Sequence, residues 1–211
     1  MYIPSAFQVD DAAKLVAFIK RHSFATLVTD NSGSLVASHL PVLYRPTGDS
    51  HGTLLSHMAR ANPQWRNFSS GREALIVFHG PHCYVSPAWY RTEPAVPTWN
   101  YAVVHVYGVP TIFDDHEQVV TLLRDLVTTY ESAYERPWPG DIPADYRNNL
   151  IQGIVAFEIP ISRIEGKFKL SQNRSQEDVQ GVIETLNKSA DADDQAVAEL
   201  MRTESRLRRS A

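Results

Sequence analysis

Two clusters of residues in this sequence have types and spacings that suit chemistry. The first is Ser56-His57-Met58-Ala59-Arg60-Ala61-Asn62-Pro63-Gln64-Trp65. Asn is a favoured helix N-cap and Pro a favoured first helical residue, so Asn62-Pro63 predicts a helix opening at Pro63. The amides of Gln64 and Trp65 are then expected to lie unpaired at the positive end of a helix dipole. His57 and Arg60, just upstream, are cationic or can become so. Cations beside a helix N-terminus are disfavoured unless an anion sits between them, so the spacing points to an anion site that would suit a phosphate. The competing reading is a surface turn whose Arg60 points into water, and the motif alone leaves both open.

The second cluster is Lys167-Phe168-Lys169-Leu170-Ser171-Gln172-Asn173-Arg174. In an extended chain Lys167, Lys169 and Ser171 share one side. Ser175-Gln176-Glu177-Asp178 then matches the S-x-x-[DE] capping pattern and predicts a helix to Asn187. Cations and amide side chains again gather ahead of a helix N-terminus; the alternative is a solvated basic turn. Other reactive types read as structural. Cys83 is the lone cysteine, so it forms no intrachain disulfide and reads as a buried small hydrophobe. His105 lies on an aromatic strand face as a hydrogen-bonded structural histidine, and His22 as a helix-end residue. No metal ligand set is expected.

The elements that must position these clusters follow from pattern. Asp10-Asp11 followed by Ala12 to Arg21, acids first and bases last, predicts an N-terminal helix. Ser23 to Thr29 reads as a strand ending in the turn Asp30-Asn31-Ser32-Gly33. Ser34 to Tyr44 resumes extended, with Val36, Ser38, Leu40, Val42 and Tyr44 on one face and Leu35, Ala37, His39 and Pro41 on the other. The small polar Ser38 leaves room for something flat against the sheet, or bonds a neighbouring strand. After the turn Pro46 to Ser50, Gly52 to Ser56 leads into the first cluster. Ala74 to Phe78 reads as a buried strand broken by Gly80-Pro81, and Cys83 to Ser86 as another short strand. The aromatic, proline-rich loop Ser86 to Pro97 is expected to cover something: a ligand, a partner subunit or the end of a barrel. Trp99 to Tyr107 is the strongest strand pattern, followed by a kink at Gly108-Val109-Pro110. His116 to Tyr130 carries a helical apolar stripe, and Ala144 to Ile151 reads as a short helix. Gly153 to Ile159 is a strand interrupted by Pro160, and Asp194 to Arg209 a last helix. About six strands or more with short loops and peripheral helices suggest a mainly β protein and a barrel.

Composition bounds the function. With 211 residues the chain suffices for one substantial domain and a short appendage, placed at residues 1–187 and 188–211. Hydrophobic content of 43% with 21% charged residues is that of an ordinary globular protein. A net charge of −4 argues against nucleic-acid binding through the overall field. The Arg-rich end (Arg202, Arg206, Arg208, Arg209) leaves DNA contact possible but reads better as a frayed, solvated tail. The absence of a membrane-length apolar run or a signal-peptide pattern gives a cytoplasmic expectation with no membrane partner. There is no internal repeat.

Taken together, Met1-Tyr2-Ile3-Pro4, Ser38-His39-Leu40-Pro41, His57 to Trp65, Pro97 to Tyr101, Tyr107-Gly108 and Lys169 to Arg174 resemble the PaiB-like family, called FMN-binding negative transcriptional regulators. The resemblance runs in order to about residue 187 and leaves the C-terminal helix outside it. The family is similar to the FMN-binding split-barrel proteins, such as pyridoxamine-phosphate oxidases and flavin reductases, typically dimers with FMN in clefts between subunits. The resemblance therefore implies an FMN-binding split β-barrel, a homodimer, and FMN as the cofactor. It makes the anion the FMN 5′-phosphate, with Arg60 as charge partner and His57 and Asn62 in support. Ser38, His39 and Leu40 would line the isoalloxazine edge through backbone groups. Trp99, Asn100, Lys169, Gln172 and Arg174 would come from the facing wall, by residue type alone. Function divides between a flavin-binding regulator and an FMN-dependent oxidoreductase of unidentified substrate, with a cofactor-free interaction module as a third alternative. No helix-turn-helix is evident, and no catalytic residue is assigned, although His39, His105 and Tyr101 could act on protons.

Overall fold

In the computed structural model, residues 1–48 and 51–210 are described, with side chains to Leu207. Asp49 and Ser50 of the expected turn, and the side chains of Arg208 and Arg209, lie outside the described residues. The elements in chain order are β1 (Gln8–Val9), α1 (Ala12–Arg21), β2 (Phe24–Asn31), β3 (Ser34–Pro41), β4 (Leu43–Arg45), β5 (Thr53–Ala59), β6 (Ala74–Val85), β7 (Thr98–Gly108), β8 (Thr111–Phe113), α2 (His116–Glu131), α3 (Ala144–Gln152), β9 (Ile154–Lys169), α4 (Gln176–Leu186) and α5 (Ala192–Ser210). The sheet runs β3-β2-β6-β7-β9-β5-β4, with β1 and β8 also paired to β9. The pairings of β2 with β3 and β6, of β5 with β4 and β9, and of β1 and β8 with β9 are antiparallel. This is the mainly β class with peripheral helices that the strand pattern predicts.

Two sequence expectations give way. β6 runs unbroken through Gly80-Pro81, and β9 through Pro160. At Gly80 a Cβ would lie 2.6 Å from the Phe18 ring, so the glycine marks close packing and not a break. Pro160 pairs with Thr53 at the end of the β5–β9 register, where a missing N–H costs the ladder least.

The chain forms two compact units. One comprises Ile19–Phe78 and Val106–Ile164. Here β2 and β3 form an eight-residue hairpin, from Phe24↔Pro41 to Asn31↔Ser34. Its turn is closed by Ser32 and Gly33 at positive φ, with the Gly33 amide donating to Asp30 Oδ1 at 2.7 Å. The apolar stripe of α2, with Val119, Val120, Leu122 and Leu126, packs together with Ile151 of α3 against Leu55 of β5 and Ala156 of β9. The helix thus forms because its stripe has an apolar face to cover.

The other unit comprises Met1–Phe18, His79–His105 and the chain from Glu165 onward. In it α1 buries Leu15 and Phe18, and the Phe18 and Phe168 rings sit 5.1 Å apart. The expected last helix is α5, which buries Val197, Ala198 and Met201, while Arg206 and Leu207 near its Arg-rich end are exposed. No helix among the described residues is long and apolar enough to cross a membrane.

Candidate flavin site

The first cluster begins on β5. β4 pairs only with Thr53 to Leu55, so the rest of β5 lies beyond that ladder. There Ser56 Oγ donates to Pro41 O at 2.6 Å, tying β5 to the end of β3. The predicted helix opens at Pro63 but is a 3-10 helix, Pro63–Ser70, ending at Gly71 in the left-handed region. Asn62 is its N-cap: Oδ1 accepts from the Gln64 amide at 3.0 Å, and Nδ2 donates to Ser38 Oγ at 2.8 Å. The cap itself therefore satisfies the Gln64 amide that the sequence left for an anion.

Gln64, missed by sequence reasoning, is the keystone of this region. It is fully buried, and Nε2 donates to Leu27 O (3.2 Å), Thr29 Oγ1 (3.1 Å) and Val36 O (3.1 Å). One side chain thus joins the 3-10 helix to both strands of the β2–β3 hairpin. The signal for it was slight: an amide directly after a capping Asn-Pro, where the side chain must turn inward.

Ser38 and Leu40 are half-buried on one face of β3, and His39 is exposed on the other, as strand alternation requires. The three cannot present side chains to one ligand face. His39 Nδ1 shares a hydrogen bond with Thr26 Oγ1 at 3.0 Å and stacks on the exposed Phe24 ring at 6.5 Å.

His57 and Arg60 differ from expectation. Burial pushes the His57 imidazole below its usual range, so it is a neutral ring at neutral pH and not a cation flanking an anion. Its Nδ1 is buried without a hydrogen-bond partner. Arg60 donates from Nε to Gln152 O at 2.8 Å and from Nη2 to Ile154 O at 2.7 Å, while its amide donates to Gly153 O at 2.8 Å. It clamps the α3–β9 junction. Those two side-chain bonds use two of the five guanidinium N–H groups. A cavity of about 360 Å³ lies beside Arg60, Trp65, Phe113 and Asp114. With Asp114 in its wall, this cavity is a poor seat for phosphate.

The remaining candidates lie in the other unit. Trp99 is 52% exposed, meets Tyr84 edge-on at 6.0 Å and stacks with His82 at 6.1 Å. It borders an open, mostly apolar groove of about 460 Å³ that also holds His79, Tyr101 and His105. Burial lowers the affinity of His105 for its proton, as does the N-terminal ammonium. Lys169 Nζ donates to Thr98 Oγ1 and to Trp99 O, fixing the start of β7. Burial, and then neighbouring Lys167, depress its pKa.

Asn100 is turned into the fold, and Gln172 is engaged with its own turn at the edge of the cavity beside α4 and α5. Asn100 is fully buried, donating to Ser171 Oγ at 3.0 Å and to Met201 Sδ at 3.5 Å. The Gln172 amide folds back on its own turn, accepting from the Leu170 amide at 2.6 Å and donating to Phe168 O. Ser171 at φ 62 makes that turn tight enough for both bonds. Arg174 lies over the Tyr90 ring at 4.5 Å. Next to it, Asp178 fixes the aromatic loop: Oδ1 accepts from the Arg91 and Thr92 amides at 2.7 and 3.0 Å, and Oδ2 from Thr92 Oγ1 at 2.6 Å. At Gly181 a Cβ would lie 2.4 Å from Trp89 O, so only glycine lets α4 approach the loop. The loop's cover is thus α4.

The structure therefore gathers the candidates into two sets, Ser38, Asn62, His57 and Arg60 in one unit and Trp99 with Lys169 in the other. Residues 1–163 match the family described as "Putative FMN-binding domain". The chain belongs to this family. The protease synthase and sporulation protein PAI 2 of Bacillus subtilis (strain 168) is 38% identical over 95% of this chain and 96% of its own, which bears out the PaiB-like resemblance. Among solved structures, the FAD and heme binding protein of Mycobacterium smegmatis matches with a TM-score of 0.57 at 14% identity, over 82% of this chain and 78% of its own. The flavocytochrome Anf3 of Azotobacter vinelandii matches at 0.57 and 12%, over 82% and 75%. At such identities the likeness concerns the fold, and the split-barrel class expected from the sequence is borne out.

The residues present fit a flavin in part. Ser38 Oγ accepts from Asn62 and so keeps its own proton to donate. Arg60 retains guanidinium N–H groups, His57 Nδ1 is an unmet buried nitrogen, and Trp99 offers a flat half-exposed face.

Proposed function

We propose that this chain binds FMN non-covalently, as a homodimer with flavin in a cleft between subunits, and acts as a flavin-dependent regulatory protein of the PaiB type. The observation that carries this reading is that the bonded pair Ser38–Asn62, with Arg60 two residues before Asn62, falls within the stretch matching the family's FMN-binding domain. The B. subtilis relative is named a protease synthase and sporulation protein, an association that the regulatory reading carries over to this chain. FMN, when bound, supplies one- and two-electron redox chemistry. The chain's residues do the rest. Arg60 would donate to the phosphate, and Asn62 orients the Ser38 hydroxyl, which keeps its proton for the ligand. Gln64 holds the hairpin that carries Ser38. Adding FMN to the purified protein and recording its visible spectrum after gel filtration tests the claim. Co-elution of a perturbed flavin band with a dimer is expected; no measurable FMN affinity overturns it.

A flavin-dependent oxidoreductase is the second reading. The groove that places His79, Tyr101 and His105 beside Trp99 favours it, because proton carriers then border an apolar face. Anaerobic mixing with NADH or NADPH separates the two: flavin bleaching supports the enzyme, and no reduction by either supports the regulator.

A further inference from the structure

The cavity between the turn before α4 and the end of α5 has a composition unlike the rest of the molecule. It measures about 290 Å³ and is lined by Arg174, Arg202 and Arg206, with Gln176, Gln180 and Ser205 among its polar groups. Its floor is apolar, formed by Leu170, Val179 and Ile183. Glu204 is the one carboxylate in the lining, and Lys14 Nζ already binds it. Arg202 is held by Glu199 and Asn187. Arg174 differs from both. Its guanidinium is stacked on Tyr90 and pairs with no carboxylate among the described residues. A guanidinium held over a ring face keeps its N–H groups available, and such a fork can grip an oxyanion in a bidentate way. The lining carries three guanidinium groups and one carboxylate, and with the Arg202–Glu199 and Lys14–Glu204 pairs set against each other it keeps an excess of positive charge in a chain of net charge −4.

We infer that this cavity is a binding site for a small organic oxyanion, a carboxylate or phosphate monoester on a short apolar stem, distinct from the flavin site. The anion meets Arg174, with Arg202 and Arg206 supplying further field. The stem lies on Leu170, Val179 and Ile183. The volume equals that of about ten waters, which limits the ligand to a compact molecule. The site stands whether or not the chain binds FMN, because its residues lie wholly in the turn before α4, in α4 and in α5.

Titration of the isotope-labelled protein with inorganic phosphate, phenyl phosphate and benzoate, followed by amide and arginine side-chain NMR, tests the inference. Saturable shifts are expected at Arg174 to Gln180 and Arg202 to Arg206, with phenyl phosphate or benzoate at least tenfold tighter than inorganic phosphate. The tighter of the two decides between a phosphate monoester and a carboxylate. Arg174→Gln weakens the better probe at least tenfold, and Arg174→Lys recovers part of that loss. Val179→Phe, which fills the floor, removes the preference for the apolar stem. No saturable shifts with any probe, or equal binding by Arg174→Gln, overturns the site. Displacement of the probe by FMN overturns its separateness, leaving the cavity to the flavin phosphate.

Discussion

Gln64→Met tests whether one buried amide holds the candidate site in place. The substitution keeps the length of the side chain and removes its polar atoms. Wild-type Nε2 meets three acceptors at 3.1–3.2 Å. Thr29 Oγ1 keeps a second donor, Asn67 Nδ2 at 3.3 Å. Leu27 faces Ser38, and Val36 faces Thr29, at the alternate positions of the hairpin register that exchange ladder bonds, so both carbonyls keep a backbone donor. What is lost is three side-chain bonds of about 0.5–1.5 kcal/mol each, offset by about 1–2 kcal/mol for removing Oε1, which is buried without a partner. The net expectation is a loss of about 1–2 kcal/mol. In a chain of this size that lowers the melting temperature by roughly 2–8 °C. Thermal melting reads the loss, and hydrogen exchange should rise at the amides of the β2–β3 hairpin in particular. Gln64→Glu is the harsher control, since a carboxylate would face three acceptors without a donor and should destabilise further at neutral pH. A Met variant melting within a degree of wild type, with unchanged hairpin protection, would refute the keystone role.

Arg60→Ala should weaken FMN binding by about 1.5–3 kcal/mol if Arg60 donates to the phosphate, measured by flavin titration. Unchanged affinity in a folded variant would confine Arg60 to the α3–β9 junction. Asp178 has its pKa lowered, first by the Thr92 hydroxyl and then by the backbone amides and Ser175 despite burial, so its stabilisation is present above the unfolded carboxylate pKa of about 3.9 and is lost as pH falls through the lower folded value. Asp178→Asn should flatten the acid limb of the stability curve, and an unaltered limb on acid titration counts against the loop anchor. For His57 the sign is the same but the cause is burial of the imidazole: its folded pKa is depressed, so the unfolded state binds more protons and stability falls as pH drops below about 6.5. His57→Gln should remove that slope between pH 7 and 5 in denaturation melts, and persistence of the slope would show that another group causes it.

How much of this was legible in the sequence depends on whether a residue's partners are local. Asn62-Pro63 is read correctly as a cap because capping spans two residues, and the α2 stripe because its period is internal to the helix. Arg60 shows the converse. Its acceptors are carbonyls of Gln152 and Ile154, some ninety positions away, which no local pattern announces. Asn100 looks like a ligand residue at the start of an aromatic strand, yet its partner Met201 belongs to a helix outside the recognised motif. The fold-back of Gln172 was hidden even at short range, because it depends on a positive φ at Ser171 that turns the amide back on the chain. Gly80-Pro81 and Pro160 show that punctuation residues end strands only where no tertiary partner accommodates them.

The bonds between Asp178 and the aromatic loop make the two ends of that contact thermodynamically reciprocal. Trp89 and Tyr90 lie on a loop whose amides end on a carboxylate in the first turn of α4, and Tyr90 carries the guanidinium that faces the α4–α5 cavity. A ligand seated on Arg174 would alter the surroundings of Tyr90, and a second ligand that shifted the loop would change the first one's affinity by the same factor that the first changed its own. The loop's aromatic side chains are therefore a built-in optical gauge of that cavity, readable by ultraviolet difference spectroscopy without any label.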